Sequence, residues 1–121
     1  MYVRAYVDSA GQPLDASQTN YTLRLSPSQL PKCKYFWSIT MYDGKDYFLF
    51  ENPLKRYAVG DRSGHLKYDA DGGLSLHFQH LAPSEELQSN WLPAPKGPFY
   101  LALRVYGNSQ SPQELPGIEV Q

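Results

Sequence analysis

Short runs in which apolar and polar residues alternate recur along the chain. A period of two places successive side chains on opposite faces of an extended strand, so each run predicts a strand with one buried face. The apolar members are Tyr21, Leu23 and Leu25 in the first run, Leu74, Leu76 and Phe78 in the second, and Phe99, Leu101, Leu103 and Val105 in the third. The pattern therefore predicts an all-β chain with these side chains in its core.

Residues 35–42 (YFWSITMY) differ from these runs because they are apolar at both strand parities. Such a segment is typical of a strand that is covered on both faces. We predict that it forms an internal strand, that Trp37 is buried in it, and that it is the least exposed segment of the chain.

Turn-forming residues separate the predicted strands. Residues 11–13 (GQP), 43–44 (DG) and 71–73 (DGG) supply the glycine, proline and aspartate that tight reversals favour. We expect the last of these turns to close a hairpin between residues 66–68 and 74–76.

Helical structure is expected to be minor. The chain contains ten prolines, which cut short most helical windows because proline lacks an amide donor. One short helical turn is predicted at residues 83–88, with Ser84 at its start and Glu85 and Glu86 in its first turn. The tail after Tyr106 is predicted to form an extended strap.

Charge and composition exclude several classes of protein. Eleven basic and twelve acidic residues are scattered along the chain, so no basic stripe of the kind that binds nucleic acid is present. No apolar run approaches the length of a membrane span, and the first eight residues lack the features of a secretory signal. The cellular location stays open, with a cytoplasmic chain expected from the sequence as written. Cys33 is the only cysteine, so no intrachain disulfide is possible, and a free thiol is favoured over a nucleophile activated by its lysine neighbours.

Three longer blocks carry a family resemblance: residues 36–43 (FWSITMYD), 52–62 (NPLKRYAVGDR) and 90–99 (NWLPAPKGPF). In this order they resemble the signature blocks of the domain of unknown function 1214 family, and residues 11–15 and 103–106 also match. The resemblance implies a jelly-roll-like β domain. In typical members this domain follows a second domain of unknown function, family 1254, and many of those proteins look exported.

Pattern and resemblance together predict one domain over residues 1–121. Its expected fold is an antiparallel β-sandwich of jelly-roll type with at most one or two short helical turns.

Three motifs that suggest catalytic or metal chemistry are incomplete. His77 and His80 are three residues apart, so they point to opposite faces of a strand unless the strand ends between them. Residues 69–72 (DADG) resemble the start of a calcium loop, but the later positions hold Gly73 and His80 instead of ligands. Residues 60–64 (GDRSG) lack the glycine that a nucleophile elbow requires. We therefore predict no metal and no cofactor.

Seven residues in or beside the family blocks are the strongest candidates for ligand binding. Arginine presents a rigid fork of donors to a carboxylate, and tryptophan and tyrosine present flat apolar faces with a polar edge. The set, suited to a carbohydrate or a small acidic ligand, is Arg56, Asp61, Arg62, Asn90, Trp91, Arg104 and Tyr106. A structural role remains open: Asp61 pairing with an arginine, Asn90 binding backbone, and Trp91 closing the end of the sandwich.

Two functions remain open at this point. The first is a noncatalytic binding or assembly module for a protein partner or a polysaccharide-like ligand, either as a homo-oligomer or with a partner domain. Its ten tyrosines and its strand-like opening at residues 2–7 favour contacts between chains. The alternative is a hydrolase-type enzyme that uses carboxylates near the strand turns, such as Asp43, Asp46 or Glu51.

Overall fold

The computed structural model describes residues 2–27, 36–52, 54–61, 63–106 and 117–120, except for the side chains of Tyr2, Val3 and Tyr106. Within these ranges the chain forms eight strands and one 3-10 helix. The strands are β1 (Tyr2–Ala5), β2 (Tyr21–Leu25), β3 (Phe36–Asp43), β4 (Ala58–Gly60), β5 (Leu74–Gln79), β6 (Trp91–Pro93), β7 (Phe99–Tyr106) and β8 (Glu119–Val120). The 3-10 helix (Glu85–Asn90) lies between β5 and β6.

The strands form two four-stranded sheets. The first sheet has the order β1-β7-β3-β4, and the second has the order β6-β5-β2-β8. Every pairing is antiparallel except that between β5 and β6, which is parallel. The prediction of an all-β sandwich is confirmed, and its jelly-roll connectivity stays a prediction.

The core lies between the inner faces of the two sheets. All the side chains that the alternating runs place inside are buried, with Leu25, Leu74, Leu76 and Phe78 at 0% exposure. Trp37, Ile39 and Met41 of β3 join them and pair with Val105, Leu103 and Leu101 of β7. Trp37 is 4% exposed, so its predicted burial is confirmed.

Strand β3 is internal, as predicted, because β7 and β4 flank it. The expectation that it would be the least exposed segment is wrong. Only its core-facing residues and Thr40 are buried, whereas five of the six residues of β5 are buried. The reason is that two polar residues on the outer side of β5, His77 and Gln79, are covered as well.

The turn at residues 69–73 forms, but the predicted hairpin around it does not. The Asp69 amide donates to the Gly73 carbonyl over 2.8 Å, and Gly72 adopts a φ of 88° that an L side chain rarely tolerates. Residues 66–68 are nevertheless not a strand. The side chain of Asn90 bonds both the amide and the carbonyl of Lys67, so these groups cannot pair with a second strand.

The predicted helical turn is present as the 3-10 helix, two residues further along than expected. Ser84 occupies the position before it but makes no capping bond with its side chain, and Glu85 and Glu86 lie in the first turn. No helix in the described ranges is long and apolar enough to cross a membrane.

The predicted strap is seen only at its end, since residues 107–116 lie outside the described part of the chain. Residues Glu119–Val120 form β8 at the edge of the second sheet, beside β2.

Candidate functional site

Arg56 links the segment before β4 of the first sheet to the start of β6 in the second sheet through hydrogen bonds. It lies two residues before β4, and its Nη1 donates to the carbonyls of Gln88 (2.7 Å) and Trp91 (2.9 Å). These carbonyls belong to the end of the 3-10 helix and the start of β6, and that of Gln88 also accepts from the Trp91 amide. Burial lowers the pKa of the Arg56 guanidinium, so the two acceptors offset the loss of hydration of its charge.

Asn90 fastens three backbone groups around the end of the 3-10 helix. Its Nδ2 donates to the carbonyls of Lys67 (2.7 Å) and Ser75 (2.9 Å), while its Oδ1 accepts from the Lys67 amide (2.8 Å). The hydroxyl of Ser89 also donates to Oδ1. Asn90 is buried, so this amide side chain uses its donors and acceptor on the protein itself.

Trp91 is buried on the outer side of the second sheet. Its Nε1 donates to the Gln79 carbonyl over 2.8 Å. Trp91 also lines an open, largely apolar cleft of about 310 Å³. The other apolar residues of this cleft are Phe50, Leu54, Leu81, Ala82 and Pro93.

The remaining predicted site residues lie on the first sheet or outside the described residues. Asp61 Oδ1 accepts from the Trp37 amide (3.2 Å), and Arg104 Nη2 donates to the Tyr42 hydroxyl (2.9 Å). Arg62 and the side chain of Tyr106 are not described. The contacts therefore join Arg56, Asn90 and Trp91 at the 3-10 helix and do not link them to Asp61 or Arg104.

A cluster of tyrosine rings, which the sequence analysis did not single out, covers the outer face of the first sheet. Tyr100 of β7 stacks on Tyr42 of β3 with ring centroids 4.9 Å apart and an interplanar angle of 7°. Tyr6 stacks on Tyr100 at 5.2 Å, and Tyr47 lies over Tyr100 at 6.0 Å. We call these four residues the tyrosine patch.

The outer members of the patch are open to solvent. Tyr6 is 48% exposed and Tyr47 is 66% exposed, whereas Tyr100 is 8% exposed. Tyr47 adopts a φ of 64°, and its amide donates to the Asp43 carbonyl over 2.9 Å. This tight turn holds the Tyr47 ring over Tyr100, and it places the exposed Phe48 next to the patch in the chain.

A second surface feature that the sequence analysis missed is a polar cleft of about 260 Å³ on the outer side of the second sheet. Its walls are β5, the 3-10 helix and the segment before the 69–73 turn. The lining residues are Lys67, Tyr68, Asp69, Ser75, His77, Glu86, Leu87, Ser89 and Asn90. In the sequence, Ser75 and His77 alternate with the apolar residues of β5, and this alternation was the signal for the cleft. It is also the ordinary pattern of a half-buried strand, so it did not identify a site.

The histidines and aspartates considered as metal ligands do not assemble. Strand β5 ends between His77 and His80, yet His77 lines the polar cleft and His80 bonds the Ala94 carbonyl through Nδ1. Asp69 and Asp71 pair with Arg24, at 3.5 and 2.6 Å, and brace the turn. Within the described ranges, no three His, Cys, Asp or Glu side chains are placed to hold a metal ion. Cys33 lies outside those ranges.

The carboxylates of the hydrolase alternative bind groups in their own loop. Asp43 Oδ1 accepts from the Lys45 amide, and Asp46 Oδ1 accepts from the Phe48 amide. Glu51 accepts from the Tyr57 hydroxyl over 2.8 Å, which raises the pKa of Tyr57. These contacts stabilise turns and do not point two carboxylates at a common position.

Comparison with known proteins gives one family match and similar solved structures. The model of the family described as "Protein of unknown function (DUF1214)" matches residues 1–110. The crystal structure of the VPA0106 protein from Vibrio parahaemolyticus is similar over 99% of this chain, with 31% sequence identity and a TM-score of 0.86. An uncharacterized protein from Burkholderia cenocepacia shares the fold at 18% identity, with a TM-score of 0.66 over 99% of the chain.

The chain spans 30% of the length of the Vibrio protein and 29% of that of the Burkholderia protein. Among curated proteins, no match to the chain is found.

Proposed function

Because the chain belongs to the family described as "Protein of unknown function (DUF1214)", we propose a role supported by its surface: a noncatalytic binding and assembly module. In this proposal residues 1–121 act as one domain. Its contact surface is the tyrosine patch, and its partner is a second copy of the chain.

The exposed tyrosine patch is the observation that carries the proposal. Tyrosine buries a large apolar ring while keeping a polar tip in contact with water, so tyrosine is enriched at protein interfaces. Here the rings of Tyr6 and Tyr47 are about half or more exposed, and Tyr100, which stacks on Tyr42, contacts and supports both of them. The support fixes the rings before binding, which lowers the entropy lost when a partner docks.

A second copy suits this face because the patch adjoins an edge strand. Tyr6 follows β1, and β1 is the first strand in the order β1-β7-β3-β4. An edge strand presents backbone donors and acceptors that another strand can pair with. Two copies related by a two-fold axis can pack patch against patch, which is an isologous contact that buries the same rings on both chains and places the two β1 edges at its border.

The same face suits a partner domain in longer relatives. The Vibrio protein has more than three times the length of this chain, and its additional residues are available to cover the corresponding surface.

An acidic ligand is not proposed, because Arg56 binds two carbonyls and Arg104 binds Tyr42.

Light scattering coupled to size exclusion tests the proposal. We expect a mass of twice 13.8 kDa at micromolar concentration. A mass of 13.8 kDa that does not change on concentrating the protein would overturn it. If such a monomer instead binds a soluble glucan through Tyr47, the partner is a polysaccharide and the claim of a protein partner is wrong.

Paired variants locate the interface. Tyr47→Ala removes the most exposed ring of the patch and should weaken dimerisation at least tenfold, as interface anchors do. Tyr68→Ala is the matched control, because Tyr68 is also half exposed but lies on the other side of the sandwich. Equal dimerisation constants for the two variants would contradict the assignment of the surface.

A further inference from the structure

The polar cleft between β5 and the 3-10 helix has the chemistry of a small-ligand site, separate from the tyrosine patch. We propose that it binds one neutral sugar ring, with Tyr68 as the stacking face and Asp69, Ser75 and His77 as the polar contacts. The proposal does not depend on the dimer described above, since it uses the opposite sheet.

The size of the cleft favours a single small ring. Its volume of about 260 Å³ lies just below the range of pockets for drug-sized ligands, which begins near 300 Å³. An oligosaccharide would extend beyond this cleft on both sides. The half-exposed ring of Tyr68 offers an apolar face at the rim, where the C–H groups of a sugar can pack.

The polar groups of the cleft include both hydrogen-bond donors and hydrogen-bond acceptors. Asp69 Oδ2 accepts from the Ser75 hydroxyl (3.1 Å), and no bond from the described residues engages Oδ1. Lys67 adds a cationic donor, and Glu86 adds an acceptor on the opposite wall. Hydroxyl groups both donate and accept, so a polyhydroxylated ring can use such a mixed lining.

The charges of the cleft favour a neutral ligand over an acidic one. Among the lining residues, the carboxylates of Asp69 and Glu86 are offset by Lys67 and by Arg24, which pairs with Asp69 at 3.5 Å. His77 adds no positive charge near neutral pH, since burial lowers the pKa of its imidazole although Asp69 acts in the opposite direction. An anionic sugar would therefore find no surplus positive charge to offset the loss of its hydration.

The cleft is also held in shape before any ligand arrives. Asn90 joins the backbone of Lys67 on one wall to that of Ser75 on the other. Arg24 pairs with Asp69 and Asp71 and fixes the turn that carries the acidic group. A site whose groups are already placed loses less entropy on binding.

Amide shifts in two-dimensional NMR spectra test the proposal on the full chain, with D-glucose, D-galactose and D-mannose as probes at up to tens of millimolar. At least one hexose should shift the amides of residues 67–69, 75–77 and 86–90 in a saturable way. Glucuronate should bind at least tenfold more weakly than glucose. Absence of saturable shifts with all three hexoses, or shifts confined to other residues, would overturn the proposal.

Two tyrosine variants separate this site from the proposed interface. Tyr68→Ala should raise the dissociation constant for the hexose at least tenfold with unchanged melting temperature and unchanged dimerisation. Tyr47→Ala should leave hexose binding unchanged while weakening the dimer. If Tyr68→Ala binds the hexose as well as the wild type does, the stacking role is wrong and the cleft is not the site.

Discussion

Replacement of Asn90 by aspartate distinguishes a structural amide from a ligand-binding one. The substitution keeps the shape of the side chain but turns the donor Nδ2 into a carboxylate oxygen. That oxygen would face the carbonyls of Lys67 and Ser75, which lie 2.7 and 2.9 Å from Nδ2 in the native protein. Two hydrogen bonds are lost, and like partial charges replace them.

The expected cost follows from those contacts. Each lost bond is worth about 1 kcal/mol net, and leaving a buried polar group unpaired costs about 1–3 kcal/mol. We expect Asn90→Asp to lower the free energy of unfolding by roughly 3–4 kcal/mol at neutral pH. Asn90→Ala should cost about 2–3 kcal/mol, because it removes the bonds without adding repulsion. For a chain of this length, the aspartate variant should melt roughly 12–16 °C lower.

Urea unfolding followed by circular dichroism measures these differences. Asn20→Asp is the matched control, because Asn20 is exposed and the same change there should lie within about 0.5 kcal/mol of the wild type. The gap between Asn90→Asp and Asn90→Ala should narrow in acid, where a protonated carboxyl regains one donor. An aspartate variant as stable as the wild type would refute the bracing role of Asn90.

Three further outcomes are expected. Trp37→Ala should lower the free energy of unfolding by about 3–5 kcal/mol, because the indole is buried in β3, and a melting temperature close to that of the wild type would contradict this. Burial depresses the pKa of His77 in the folded chain, so the unfolded chain binds the extra proton first and stability should fall as the pH drops through 6.5. His77→Gln should flatten that slope in pH-dependent urea titrations. Stripping metals with a chelator should leave the circular dichroism spectrum unchanged, since no three His, Cys, Asp or Glu side chains of the described ranges are placed to hold a metal ion, and loss of secondary structure would show a metal-dependent fold.

Local pattern predicted the strands and the core well. Leu74, Leu76 and Phe78 lie on one face because successive side chains of a strand point to opposite faces. Their shared face can therefore be predicted without knowing the partner strand. The hairpin at residues 66–68 was predicted wrongly because Asn90, which lies far along the chain, bonds Lys67 in place of a strand.

The surface features were harder to predict. Tyr42 and Tyr100 stack because they are paired in the register of β3 and β7, and that register brings together residues far apart in sequence. The candidate residues Arg56, Asn90 and Trp91 do lie together, but their polar atoms bind backbone carbonyls and amides. Side-chain type alone does not reveal whether an arginine or an asparagine binds a ligand or a nearby loop.

The position of β7 in the first sheet also has a consequence for folding of the protein during its synthesis on the ribosome. β7 lies between β1 and β3, yet it is made long after both of them. At synthesis rates of about 5–20 residues per second, β7 is synthesised roughly 5–20 seconds after β1, the strand with which it pairs. During that interval β1 lacks its partner strand and β3 has an unpaired edge on the side of β7, which is a condition in which nascent chains aggregate. Proteolysis of ribosome-bound chains of increasing length should therefore show protection only once β7 has emerged.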